Sequence, residues 1–297
     1  MLFSVVIPTY NRALLLQQAL RSVYAQSFTD YEVIVVDDGS TDTTGAELER
    51  LGKNIRVFHQ QNAGPGAARN LGARHAVGEY LAFLDSDDLW FPWTLMTFAN
   101  LISKHHAPAI LSAHIHEFEH QTDLGQVTET PLKMEAFTDY LASSQKGYYV
   151  GAGMAVLRRK EYTTIGGFKN RRINCEDHDL TLRMGDAFGF VQITSPVTLA
   201  YRRHVTSTTN NLLLTIKGSL YMVGQERRGL YPGGVARALD RRRILTRHVR
   251  PVTVECLKRG LRNDAWQLYR ATFRWHIDLG RWNYLLGFPL KALLTTG

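Results

Sequence analysis

The sequence predicts an α/β fold: a Rossmann-like, mainly parallel sheet flanked by helices, followed by a C-terminal helical region. Three observations predict it. Short apolar runs alternate with segments of helical periodicity over roughly the first hundred residues. Two of those runs end in carboxylates, "YEVIVVDD" and "EYLAFLDSDD". After about residue 210 the pattern turns helical, basic and aromatic.

Taken in order, "FSVVIP" reads as a short buried strand, and Asn11 is a candidate cap for a helix with Leu15, Leu16, Ala19, Leu20 and Val23 on one stripe. "YEVIVVDD" is a second strand, and "STDTTGAELERL" opens with capping residues and acids, as a helix does. "IRVFHQ" is a third strand, "GPGAARNLGARHAV" a glycine-rich turn running into a helix, and "EYLAFLD" a fourth strand. "FPWTLMTFANLISKH" is a helix with Pro92 in its first turn. Further on, "AILSAHIHEFEH", "YYVGAGMAVLRR", "VQIT" and "VTLAYRRH" read as strands. "CEDHDLTLRMGDAF" reads as a helix with Leu180, Met184 and Phe188 on one face. In parallel sheets, ligands bind outside the carboxyl ends of the strands. Asp37, Asp38 and Asp85 to Asp88 sit at such ends, so two distant acidic clusters are expected on one rim.

An apolar fraction of 44% in 297 residues is enough for a proper core. Two cysteines, Cys175 and Cys256, give neither a disulfide framework nor a metal-knuckle spacing, which suits a cytoplasmic location. The opening "MLFSVVIP" lacks the pattern of a signal peptide, and no long apolar run predicts a transmembrane helix. The net charge of +8 is uneven: residues 212–297 hold 16 Lys and Arg against 5 Asp and Glu. The division expected is a first part over 1–210, in two halves at 1–105 and 106–210, then a basic helical region at 211–297.

Four ordered stretches carry the chemistry: "VVIPTYNR" (5–12), "VVDDGSTD" (35–42), "NAGPGAARNLG" (62–72) and "FLDSDD" (83–88). Together they resemble the family-2 glycosyltransferases, the large inverting group with the GT-A type fold. The resemblance is strong over about residues 3–100. It continues through "GAGMAVLRR", "EDHDLTLR" and "YRRHVTS" to about residue 207. It implies a sugar transferred from a nucleoside-diphosphate sugar, with UDP the expected nucleotide, to a hydroxyl on a glycan or lipid-linked acceptor.

The residue types suit that chemistry. "DSD" offers carboxylates at i and i+2 with a third beside them, hard oxygen ligands for Mg²⁺ or Mn²⁺. By resemblance Asp85 and Ser86 touch the donor, Asp87 holds the divalent metal, and Asp88 supports it or caps the next helix. Asp38 is similar to the residue that bonds the uracil ring in relatives, with Pro8, Thr9 and Tyr10 in the loop covering the base. As sequence alone, "DDGS" also reads as a turn and helix cap. Arg69 resembles a family arginine near the nucleotide, while Gly64 and Gly66 permit close backbone approach.

In "CEDHD", resemblance makes Asp177 the base that takes the acceptor proton, with Glu176 beside it. Acids at a helix N-terminus are also favoured by the dipole alone. Gly153 in "GAGM" resembles the segment lining the sugar and acceptor pocket. In "YRRHVTS", Arg202 and His204 resemble residues that close over the diphosphate, with His204 also a candidate metal ligand; a basic strand end explains them too.

Arginines with Trp and Tyr in the C-terminal region suit either a membrane surface or a bundle with an Arg-rich solvent face. No recognition motif supports nucleic-acid binding. The rival readings are a catalytically inactive nucleotide-binding or scaffold protein and a nucleotidyltransferase. The second would want a basic glycine-rich loop that "PTYNRALLL" lacks.

Overall fold

The computed structural model describes residues 1–50, 55–203 and 211–294. The chain forms two compact units: one of residues 1–139, 150–171 and 187–204, the other of 140–149, 172–186 and 205–297.

The first unit is built on an eight-stranded sheet. Its strands are β1 (Phe3–Thr9), β2 (Tyr31–Asp37), β3 (Arg56–His59), β4 (Tyr80–Phe83), β6 (Ile110–Ala113), β8 (Lys133–Phe137), β9 (Ala155–Arg158) and β10 (Phe190–Ser195), in the spatial order β3-β2-β1-β4-β9-β6-β10-β8. β3, β2, β1 and β4 run parallel, β9 runs antiparallel between β4 and β6, and β8 is an antiparallel edge on β10. A small second sheet joins β5 (Leu89–Trp90), β11 (Leu199–Arg202) and β7 (Ile115–Phe118). The mainly parallel α/β sheet expected from the sequence is therefore what the chain forms.

All seven residues of β1 are buried, as expected of a parallel strand covered on both faces. On one face, Leu16, Ala19, Leu20 and Val23 of α1 (Ala13–Tyr24) and Leu95, Phe98 and Leu101 of α4 (Thr94–Lys104) join Phe3, Val5 and Ile7 in one core. Each of these Leu, Val, Ile and Phe side chains contributes roughly 1.5–3 kcal/mol when fully buried. α3 (Pro65–His75) packs so tightly on β1 and β2 that a Cβ at Gly72 would collide with Val6. α2 (Thr44–Arg50) and α5 (Arg159–Thr164) complete this unit.

Three local expectations need correction. Asn11 does not cap α1: it takes φ +51° and turns its amide toward residues 41 and 42. α4 begins at Thr94, after Pro92 rather than around it. The helix at 176 stops at Arg183, because Gly185 follows in a tight turn, so Phe188 lies beyond it and is exposed.

The second unit comprises α6 (Glu176–Arg183), α7 (Leu212–Arg227), α8 (Ala238–Lys258), α9 (Arg262–Asp278) and α10 (Trp282–Leu294). Asp179 anchors α6 here: one oxygen accepts from the Tyr231 hydroxyl (2.9 Å), the other from Arg183 Nε (2.8 Å). The Glu226 carboxylate of α7 meets the Arg241 guanidinium of α8 at 2.7 Å, with both side chains almost wholly buried. Among the described residues, no helix is long and apolar enough to cross a membrane.

Candidate active site

The parallel register aligns Thr9 with Asp37 and Val6 with Phe83, so the carboxyl ends of β1, β2 and β4 share a rim. Both acidic clusters lie there. The loop after β1 is pinned to the loop after β2. Asn11 Oδ1 accepts from the Thr41 and Asp42 amides (2.7 and 3.3 Å), its own amide donates to Ser40 Oγ, and the Arg12 amide donates to Thr44 Oγ1. Tyr10 stands exposed on that loop, whereas Pro8 and Thr9 are buried; the Thr9 hydroxyl has no hydrogen-bond partner among the described residues.

Asp38 is buried and acts as a latch. Its carboxylate accepts from the Ala63 and Gly64 amides (2.9 and 2.8 Å) and from Gln60 Nε2 (2.7 Å). It thereby fixes the glycine turn that starts α3, where Gly64 takes φ +92°, a conformation that favours glycine. Asp37 accepts from the Ser40 amide and faces His59 Nδ1 at 3.2 Å.

"DSDD" folds as a turn, with the Asp88 amide donating to the Asp85 carbonyl. Two arginines converge on it. Arg69 Nη2 lies 2.5 Å from Asp85 Oδ1, and its guanidinium rests 5.2 Å from the Phe168 ring centre. Arg12 Nη1 lies 2.6 Å from Asp87 Oδ2. Asp88 is buried and caps no helix; its Oδ1 accepts from the Arg202 amide at 2.9 Å, while Ser86 is buried beside it in the turn. Burial, together with the charges of Asp85 and Asp87, pushes the Asp88 carboxyl well above its ordinary range.

Arg202 acts as a clamp on this turn. Its Nε donates to the Asp87 carbonyl (2.8 Å), its Nη2 donates to Gln18 Oε1 (2.8 Å), and it lies over the Phe118 ring. Gly153 borders the cluster: a Cβ there would stand 3.8 Å from Asp88 Oδ2. His204 lies outside the described residues.

The donor set fits a hard divalent cation. It is all carboxylate oxygen, gathered in one turn, where burial and then the charges of Asp85 and Asp87 raise the Asp88 pKa. Among the described residues no three His, Cys, Asp or Glu side chains form a ready-made cage. Mg²⁺ commonly takes one or two protein carboxylates and completes its shell with phosphate and water.

Asp177 and Glu176 belong to the second unit, in the first turn of α6. The Asp177 carboxylate accepts from the His178 amide at 2.8 Å and stays partly exposed. The His178 ring stacks on His248 (3.8 Å between centres), which Tyr149 meets edge-on at 4.9 Å. Burial, then His178 and Arg247, holds the His248 imidazole neutral, well below its usual pKa. Burial and the nearby Asp177 and Glu176 charges push the Cys175 thiol up, so it stays protonated.

Sequence reasoning missed Arg12, the Asn11 bridge and the His178–His248 stack. The adjacent "NR" after the first strand is the available signal for the first two, since a cation three residues past the end of β1 can reach that rim.

The model of "Glycosyl transferase family 2" matches residues 4–166. An uncharacterized glycosyltransferase of Rickettsia felis is 48% identical over 90 residues, 30% of this chain and 15% of its own length. The poly(ribitol-phosphate) beta-N-acetylglucosaminyltransferase TarS of Staphylococcus aureus is 38% identical over 117 residues, 37% of this chain and 20% of its own. A GalNAc(5)-diNAcBac-PP-undecaprenol beta-1,3-glucosyltransferase of Campylobacter jejuni is 43% identical over 90 residues, 29% of each chain. These matches thus span less than a third of each curated relative's length.

Among solved structures, TarS 1–349 superposes with a TM-score of 0.67 at 23% identity, covering 92% of this chain and 81% of that one. Its complex with UDP-GlcNAc gives 0.62 at 19%, covering 94% and 92%. The Pyrobaculum calidifontis mannosyltransferase PcManGT, with GDP-Man and Mn²⁺, gives 0.57 at 19%, covering 98% and 86%. At these identities the likeness shows the GT-A type fold. The family match spans more than half of the chain, and the chain belongs to glycosyl transferase family 2.

Proposed function

We propose that this chain is a metal-dependent inverting glycosyltransferase that moves a sugar from a UDP-sugar to a hydroxyl of a glycan or lipid-linked acceptor. The observation that carries the reading is the carboxylate turn at the strand ends, with Arg12 and Arg69 each paired to one of its acids. The names of TarS, bound to UDP-GlcNAc, and of the Campylobacter relative, with its undecaprenol-diphosphate acceptor, support donor and acceptor class. PcManGT, bound to Mn²⁺, supports the cation.

In this reading residues 1–105 bind the nucleotide, residues 106–210 serve the acceptor, and 211–297 is a basic helical region. Pro8, Thr9, Tyr10, Asp38, Arg69, Asp85 and Ser86 form the donor side; Gly153, Glu176, Arg202 and His204 the diphosphate and acceptor side. A divalent cation held by Asp87, with His204 as a further candidate ligand, supplies neutralising charge for the diphosphate. Asp177 takes the proton of the acceptor hydroxyl as its oxygen bonds to the anomeric carbon. The bond from that carbon to the diphosphate oxygen breaks in the same step, UDP leaves, and the configuration inverts without a covalent enzyme intermediate. The protein works at the cytoplasmic face of a membrane, as a peripheral protein.

The test is turnover of UDP-GlcNAc and other UDP-sugars with Mn²⁺, followed by UDP release and by proton NMR of the product anomer. A β product from an α-linked donor is expected. An α product, or no UDP release from any UDP-sugar, rejects the reading and favours an inactive nucleotide-binding protein.

A further inference from the structure

α10 carries an exposed apolar strip. Trp282, Leu286, Leu290, Leu293 and Leu294 are 57, 67, 61, 66 and 83% exposed. Steps of four, four and three place Trp282, Leu286, Leu290 and Leu293 along one side of the helix, with Leu294 beside its end. The other side is anchored on α9: the Phe288 ring stacks on Tyr269 with centres 4.4 Å apart, and the Tyr269 hydroxyl donates to the Leu285 carbonyl at 2.8 Å. Single exposed leucines are ordinary, but a continuous strip is not.

α9 repeats the theme with charge interleaved. Arg270, Phe273, Arg274 and Ile277 are all exposed and follow the i, i+3, i+4, i+7 spacing of one helix face. The Arg270 guanidinium lies 5.5 Å from the centre of the Trp266 ring on that same helical stripe. With 16 Lys and Arg against 5 Asp and Glu over 212–297, the segment carries a large positive excess.

We propose that α10, together with the arginine-bearing face of α9, docks this chain on an anionic lipid bilayer. The Trp282–Leu286–Leu290–Leu293 strip enters the boundary between headgroups and acyl chains. Thirteen residues give a helix about 20 Å long at 1.5 Å per residue, suited to lying in the interface rather than crossing it. Charge decides the occupant. A second copy of the chain would cover the strip but bring the same positive excess to the contact, whereas anionic headgroups answer it. The proposal rests on the peripheral-membrane part of the proposed function and on none of its chemistry.

The test is co-sedimentation of the full chain with vesicles of phosphatidylcholine alone or mixed with phosphatidylglycerol. The chain is expected to pellet with the anionic vesicles and not with the neutral ones, less so at high salt. Leu286→Asp with Leu290→Asp, and separately Arg270→Glu with Arg274→Glu, should each weaken that partition about tenfold or more. Circular dichroism confirms that the variants are folded, and UDP-induced thermal stabilisation, unchanged in them, reports on the donor site independently. No binding of the wild-type chain to anionic vesicles overturns the proposal, as does undiminished binding by the leucine variant. A stable dimer by light scattering that the leucine variant breaks, without vesicle binding, assigns the strip to a second copy instead.

Discussion

Arg12 Nη1 stands 2.6 Å from Asp87 Oδ2, so the carboxylate proposed to hold the metal already has a cationic partner from the loop after β1. Arg12 and a divalent cation then compete for one charge. Arg12→Gln should raise the thermal stabilisation produced by Mn²⁺ alone, and Arg12→Gln combined with Asp87→Ala should abolish it. Mn²⁺ titrations followed by scanning calorimetry check this; equal shifts in wild type and Arg12→Gln would show that Asp87 is not the cation's ligand.

Asp177→Asn keeps the shape of the side chain, including an oxygen able to accept from the His178 amide, but removes the base. Transfer should fall by about 10²- to 10⁴-fold, the usual contribution of a positioned general base, while UDP binding stays at the wild-type level. Turnover and calorimetric titration on the same preparation separate the two effects.

The Glu226–Arg241 pair tests the second unit. Glu226→Ala leaves the buried Arg241 guanidinium without its carboxylate and should cost about 3–5 kcal/mol in urea unfolding. Leu239→Ala, at an exposed position of α8, should fall within about 0.5 kcal/mol of wild type.

His276 is fully buried, with neither ring nitrogen hydrogen-bonded among the described residues, and burial, followed by the Arg281 and Arg250 charges, lowers its pKa to about 3. Between the ordinary value near 6.5 and about 3, the unfolded chain binds a proton that the folded chain refuses. Stability contributed by the neutral ring is therefore complete above about pH 6.5 and is lost as pH falls toward about 3. His248 titrates in the same direction. Melting temperature measured against pH should decline less steeply in His276→Phe than in wild type.

The sequence makes the front sheet readable because buried strands and amphipathic helices there have clean periods, and because acids recur where strands end. What it hides is non-local. Asp38 looks like a helix cap until the Gln60–Gly64 loop is seen to close on it. The bond from Arg202 to the Asp87 carbonyl, which clamps the carboxylate turn, has no signal in "YRRHVTS" itself. Nothing local in "CEDHDLTLR" reveals that Asp179 ties the helix to Tyr231 of the basic C-terminal region. Pairings between distant segments leave no periodic trace.

The most direct test of the account is thermal stabilisation of the purified chain by UDP, GDP, dTDP and CDP, each with and without Mn²⁺. The account predicts that UDP stabilises and only with Mn²⁺, by about 2.7 kcal/mol at a hundredfold excess over its dissociation constant, and that Asp87→Ala removes the effect. Stabilisation by no nucleotide, or by UDP equally without metal and in Asp87→Ala, would contradict it.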